Sequence, residues 1–165
     1  MAGDWRAGGA AAKRMAKTRS KAVADTKPIT GGCLCGGVRF TYDGELGGSL
    51  GLVTICHCSQ CRRAHGYAAG VVPVQASGFT VIQGSELIRE FESSPGKLRG
   101  FCGTCGSPLY SRRVSSPEAL RLRLGTLDHP PADLVVEAHI FATDVPTWAE
   151  PDDAPRYPGL EPGRP

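Results

Sequence analysis

The chain has 165 residues, 41% of them apolar, which is enough for one domain with a hydrophobic core. Its 22 glycines and 13 prolines argue against long helices, and no apolar run approaches the roughly 20 residues that span a bilayer, so a soluble, cytoplasmic protein is expected. The net charge of +3 is unevenly spread: residues 1–27 carry seven Lys or Arg and two Asp, and the rest of the chain carries twelve basic and fourteen acidic groups.

The first segment, residues 1–27, is rich in Ala, Gly, Lys and Arg and lacks the apolar core of a secretory signal. Its composition predicts a disordered basic arm; a short helix touching nucleic acid or an acidic partner, or a transit peptide, are the alternatives. Residues 28–160 read as one domain of short strands. The β-like runs are Val38–Tyr42, Leu50–Ile55, Ala69–Val74, Phe79–Gln83, Leu87–Glu92, Leu98–Phe101, Leu109–Arg113, Ala119–Leu124 and Leu134–Phe141. Turn signals separate them, among them Asp43-Gly44, Ser77-Gly78 and Gly84. There is no internal repeat, and no helix-period segment exceeds about ten residues. The predicted fold is mainly β, built of antiparallel sheets with few short helices.

All seven cysteines fall in three clusters: Cys33 and Cys35; Cys56, Cys58 and Cys61; Cys102 and Cys105. Cys-x-Cys and Cys-x-x-Cys spacings let neighbouring thiolates grip one tetrahedral ion, and thiolate softness favours zinc. An odd cysteine count and such short spacings argue against disulfides. Seven divides into a closed set of four and an open set of three, the second being how catalytic zinc sites keep a position for substrate. Cys102-Gly103-Thr104-Cys105-Gly106 reads as a zinc knuckle that needs a second pair. Cys33 and Cys35 are the preferred partners, although from spacing alone they fit the middle cluster equally well. His57 alternates with its flanking cysteines and is expected to point away from their ion. Arg62 and Arg63 are candidates to stabilise nearby thiolates, or else two solvated cations.

Taken together the motifs resemble the glutathione-dependent formaldehyde-activating enzyme family, whose members include the centromere-protein V branch. The resemblance rests on Gly32-Cys33-Leu34-Cys35-Gly36 with Val38-Arg39-Phe40, and on Cys56-His57-Cys58-Ser59-Gln60-Cys61-Arg62-Arg63. It continues through Ser93-Ser94-Pro95-Gly96, Arg99 to Leu109, Gly125-Thr126-Leu127-Asp128 and His139-Ile140-Phe141, with Trp148 following. It implies a zinc-held β-tent fold and two zinc ions per chain. One would be structural, on Cys33, Cys35, Cys102 and Cys105; the other would be of catalytic type, on Cys56, Cys58 and Cys61. It also implies carbon–sulfur lyase chemistry, the joining of a small thiol such as glutathione to formaldehyde or a related aldehyde. His57, His65, Asp128 and His139 are the candidates for proton handling. The plainer expectations are that Asp128 is a turn residue, that His139 is a hydrogen-bonded strand histidine and that Trp148 closes the core. The competing function is a zinc-stabilised nucleic-acid or protein-binding module that uses the basic arm without catalysis; a thiol-based redox sensor at the middle cluster is a third. No membrane association is expected.

Overall fold

A computed structural model describes residues 28–149; the basic arm and residues 150–160 of the expected domain lie outside the described residues. In chain order the elements are β1 (Ile29–Gly32), β2 (Arg39–Tyr42), β3 (Thr54–Cys56), the helix α1 (Ser59–His65), β4 (Ala69–Gln75) and β5 (Phe79–Gln83). There follow β6 (Ile88–Ser94), β7 (Lys97–Cys102), β8 (Pro108–Arg113), β9 (Ser116–Arg123) and β10 (Ala138–Ile140). They form a three-stranded sheet, β1-β2-β5, and a seven-stranded sheet, β10-β3-β4-β9-β8-β7-β6. Every pairing between strands is antiparallel except that of β10 with β3. The expected mainly β class is what forms, and no helix among the described residues is long and apolar enough to cross a membrane.

The two sheets are tied by the segment after β9. Leu127 bridges to Gly31, and the Asp128 amide donates to the Thr30 carbonyl at 2.9 Å. A Cβ on Gly31 would lie 2.4 Å from the Thr126 carbonyl oxygen and still closer to the Phe40 ring, so only glycine lets the sheets approach there. Between the sheets sits the main core: Val38, Phe40 and Tyr42 pack with Val72, Val74, Leu109, Leu120 and Leu122. Each such side chain, fully buried, contributes on the order of 1.5–3 kcal/mol.

The two long central strands separate core from chemistry by alternation. On β4, Val72 and Val74 enter the main core, whereas Ala69 and Val71 turn to the other face and pack with Cys56 and Cys61. On β9, Leu120 and Leu122 face the core, so Arg121 and Arg123 face the side that carries the middle cysteines.

Three expectations need correction. The run Leu50–Ile55 becomes a short 3-10 turn followed by β3, because Gly48 and Gly51 take positive φ and break the extended path. Only Ala138–Ile140 of Leu134–Phe141 is strand. Ahead of it, Glu137 docks on Val53 instead: its amide donates to the Val53 carbonyl at 2.9 Å and its carboxylate accepts from the Val53 amide at 2.8 Å. The middle cysteine loop is partly helical, since α1 begins directly after Cys58.

Candidate metal centres

The first centre is built from two tight turns. Cys33 and Cys35 follow β1, while Cys102 closes β7 and Cys105 lies in the turn after it. Each pair is followed at once by a glycine in the left-handed region, Gly36 at φ 74° and Gly106 at φ 75°. A residue with a Cβ is strained there, which is why both turns end on glycine. Ser107 links the turns: its hydroxyl oxygen accepts from the Leu34 amide at 2.9 Å and lies 3.3 Å from the Cys105 sulfur. The Val38 amide donates to Cys33 Sγ at 3.2 Å. Hydrogen bonds of this kind offset negative charge on sulfur. The Cys105 thiol is accordingly pulled down to about 5, by the Ser107 hydroxyl and backbone first and then by the backbone and thiol of Cys35.

All four sulfurs lie within 4.8 Å of one another. Cys33 and Cys35 are 3.4 Å apart, and Cys35 and Cys102 are 3.9 Å apart. A tetrahedral ion with metal–sulfur bonds of about 2.3 Å requires sulfur–sulfur edges of about 3.8 Å, so this set is compatible with zinc. All seven cysteines are free thiols.

The second cluster sits where β3 hands over to α1. Cys56 ends the strand, Cys58 is the helix N-cap and Cys61 lies in the first turn, with Cys58 Sγ accepting from the Cys61 amide at 3.4 Å. Ser59-Gln60 opens a helix that Gly66, in the left-handed region, closes seven residues later. The three sulfurs lie within 4.8 Å of one another, and Cys56 and Cys58 are 3.6 Å apart. Among the described residues no fourth Cys, His, Asp or Glu joins this group. Cys56 and Cys61 are buried, while Cys58 is half-exposed. Burial pushes the Cys56 thiol up to about 12, with the Cys61 and Cys58 thiols adding to that. Burial also raises Cys58, but the backbone amides of Cys61 and Gln60 and the two neighbouring thiols outweigh it and bring this thiol below its ordinary value. The donor set suits a soft divalent ion with one coordination position left over.

Two arginines that the sequence reading passed over face this cluster. Arg99, on β7, places its terminal nitrogens 3.8 and 3.9 Å from Cys61 Sγ and 3.3 Å from Gln60 Oε1. Arg123, on β9, is only 5% exposed, and its Nε has no hydrogen-bond partner. Burial lowers its pKa to about 10, the Cys61 and Cys56 thiols acting against that and Arg99 reinforcing it. The Nε2 of His65, at the far end of α1, is likewise buried and unpartnered; burial first, then Arg123 and Arg99, hold this imidazole down to about 4.

The other candidates lie elsewhere. His57 points away from the sulfurs, as expected, and its Nε2 is 2.8 Å from Nδ1 of His139, the two rings stacking 5.1 Å apart. His139 is thus a hydrogen-bonded strand histidine. Asp128 sits just past a 3-10 turn and pairs with Arg39 and with the Thr30 hydroxyl, and it is not a member of either cysteine group. Arg62 and Arg63 do not supply the cations at the sulfurs: the α1 surface turns them outward, Arg62 donates to the Asp144 carbonyl at 2.8 Å, and Arg63 is exposed. Trp148 does not close the core; it is 65% exposed and packs on Tyr67 with ring centres 5.8 Å apart. Two surface hollows, of about 200 and 580 Å³, are lined by neither cysteine cluster. Of the middle cluster, Cys58 is the member that meets solvent.

Two comparisons bear on this geometry. A solved crystal structure of a Rhodobacter sphaeroides protein is 28% identical and superposes with a TM-score of 0.54, the match covering 67% of this chain and 98% of that one. The family model described as glutathione-dependent formaldehyde-activating enzyme matches residues 28–144, the segment that holds both cysteine clusters and the strands that gather them. The chain belongs to the glutathione-dependent formaldehyde-activating enzyme family.

Proposed function

We propose that the protein is a zinc-dependent enzyme of the carbon–sulfur lyase type that joins a small thiol, glutathione or a close relative, to formaldehyde or a related aldehyde. The observation that carries the proposal is the inequality of the two clusters. Cys33, Cys35, Cys102 and Cys105 form a complete tetrahedral donor set, whereas Cys56, Cys58 and Cys61 form a set of three with a half-exposed member. In this reading the first set holds the domain together and the second meets substrate. Zinc held by the three cysteines would supply a Lewis-acidic position that keeps a substrate thiol deprotonated at neutral pH.

The chain's own groups account for the rest of the chemistry. In the net reaction the thiol sulfur bonds to the aldehyde carbon, the carbonyl π pair moves to oxygen, and the proton lost by the thiol ends on that oxygen. Arg99 and Arg123 lie on the face where this negative charge gathers, in a partly dehydrated setting that strengthens their pull. His65, held neutral beside them, offers a hydrogen bond without adding a third cation. Protons exchange with solvent at the Cys58 edge.

Zinc quantification together with thiol–aldehyde turnover tests the reading. Wild type should hold two zinc ions per chain and Cys58→Ser one, with turnover lost although the fold and the first zinc persist. Undiminished turnover in Cys58→Ser would refute it.

A further inference from the structure

Eleven of the twelve basic residues after position 27 are arginines, and the remaining one is Lys97. Arginine keeps its proton, whereas a lysine can lose it and become a nucleophile. Residues 28–165 thus carry a single amine side chain, and the sheet puts it on the face of the middle cysteines. Residues opposite one another in an antiparallel pair share a face, as do residues two apart on one strand. Lys97 lies two residues before Arg99 on β7 and opposite Arg113 on β8. It therefore projects to the side where Arg99 places its terminal nitrogens 3.8 and 3.9 Å from Cys61 Sγ.

The same side gathers guanidinium groups around that amine. Arg99 lies opposite Ser111 and Ser111 opposite Arg121, so Arg121 and, two residues on, Arg123 share the face. Burial first, and then Arg113, Arg121, Arg123 and Arg99 in turn, bring the half-buried Lys97 ammonium down to about 8. Arg123 and Arg99 are also the cations at the middle sulfurs, so the amine and the thiols share neighbours. An ordinary lysine is almost wholly protonated at pH 7, whereas one at about 8 is about one-tenth free amine. A second cation beside a lysine is a known way of activating it as a nucleophile. Like charges directly opposite in a sheet, as Lys97 and Arg113 are, weaken it, so strand pairing does not account for the lysine.

We propose that Lys97 captures the carbonyl partner of the reaction as a Schiff base, a covalent aldehyde site on the same sheet face as the open cysteine centre. The amine lone pair attacks the carbonyl carbon, the carbonyl π pair moves to oxygen, and a proton passes from nitrogen to that oxygen. Loss of water from this carbinolamine leaves the imine. Water adds back by the reverse steps and returns the aldehyde and the free amine, so the cycle consumes no oxidant or reductant.

Lys97 and Arg99 are about 7 Å apart along β7, the rise of two strand residues. A flexible four-carbon stem carries the amine over much of that interval. An aldehyde released from Lys97 therefore emerges beside the arginines that face Cys61, and capture raises its concentration there. The inference rests on the proposed function for the thiol that receives the aldehyde, but not for the capture itself.

Reductive trapping on the zinc-loaded full chain separates the two. Formaldehyde and cyanoborohydride are added at pH 7, hydride reduces each imine to a methylamine, and peptide mass mapping follows Lys97 beside free Nα-acetyllysine in the same tube. Lys97 should be methylated at least tenfold faster than Nα-acetyllysine. A rate no greater than that of Nα-acetyllysine would overturn the capture, whatever the turnover. Lys97→Arg keeps the charge and removes the nucleophile. In steady-state kinetics it should raise KM for the aldehyde at least fivefold and leave KM for the thiol unchanged. An unchanged aldehyde KM would also overturn the inference. If wild type traps formaldehyde at Lys97 but shows no thiol–aldehyde turnover, the capture stands and the proposed function falls. Zinc content and circular dichroism check the fold of Lys97→Arg; should it misfold, trapping on wild type decides.

Discussion

Arg123→Met should have opposite effects on stability depending on whether the middle centre can hold its metal. The guanidinium is 5% exposed and its Nε is unpartnered, and burial brings its pKa from 12.5 to about 10. A lowering of that size corresponds to about 3 kcal/mol disfavouring the charged form. With three thiolates and an ion in place the same charge acquires a partner, and removing one member of a buried pair is destabilising. Two backgrounds, both in excess zinc so that the four-cysteine site stays filled, isolate the effect: wild type and Cys56→Ser/Cys58→Ser. In wild type Arg123→Met should lower the urea-unfolding free energy by about 3 kcal/mol. In the double-serine background it should raise that free energy by about 1–3 kcal/mol, because an unpaired buried cation is replaced by an apolar side chain of similar length. The expected coupling is therefore about 3 kcal/mol or more, far outside the roughly 0.5 kcal/mol within which independent sites add. Equal effects in both backgrounds would mean that Arg123 does not sense the centre, and the electrostatic reading of the site would fall with it.

His65 gives an acid-side signature. Its folded pKa of about 4 lies below the ordinary 6.5, so the unfolded chain takes up a proton first and stability falls as pH drops from 6.5 to 4. Discounted for partial exposure, the loss is about 1–2 kcal/mol, and His65→Gln should remove that part of the profile relative to wild type in denaturant titrations. Cys102→Ser and Cys58→Ser should each release one zinc per chain, but only the first should collapse thermal stability, because Cys102 is wholly buried and its cluster joins segments 67 residues apart. Gly100→Ala would set a Cβ 2.4 Å from the Tyr110 ring, costing about 1–3 kcal/mol and lowering Tm by several degrees in calorimetry.

How much of this was legible in the sequence varied with the range of the interaction. The cysteine clusters announce themselves because ligand spacing is local chemistry, and Gly36 and Gly106 mark their turns for the same reason. Seven of the nine expected strands appear close to their places because alternation is local too. Arg99 and Arg123 were invisible as site residues. In Leu120-Arg121-Leu122-Arg123 the arginines read as a solvated face, and only the middle-cysteine segment lying against that face, next to Val71 of the adjoining β4, buries one of them. Arg62 and Arg63, adjacent to Cys61 in sequence, looked the better candidates, yet helical geometry turns them outward. Trp148 is expected to close the core, whereas its neighbour is the surface ring of Tyr67. What the sequence could not carry is which side of a sheet a distant element covers.

That same dependence explains why fold and chemistry are tied so closely here. β9 has one decision to make, which face is which, and it settles two matters at once. With Leu120 and Leu122 in the core, Arg121 and Arg123 must lie beside the middle cysteines; a slip of one residue would bury the arginines in the core and present leucines to the sulfurs. β4 is bound by the same rule, since Val72 and Val74 cannot pack inward without Val71 supporting Cys56 and Cys61 from the other side. The register that maximises apolar burial is therefore the register that brings cations to thiolates. The four-cysteine site shares that core directly, since Cys33 and Cys102 pack in the same cluster as Val72 and Leu122, whereas the middle centre depends on it through the register of β4 and β9.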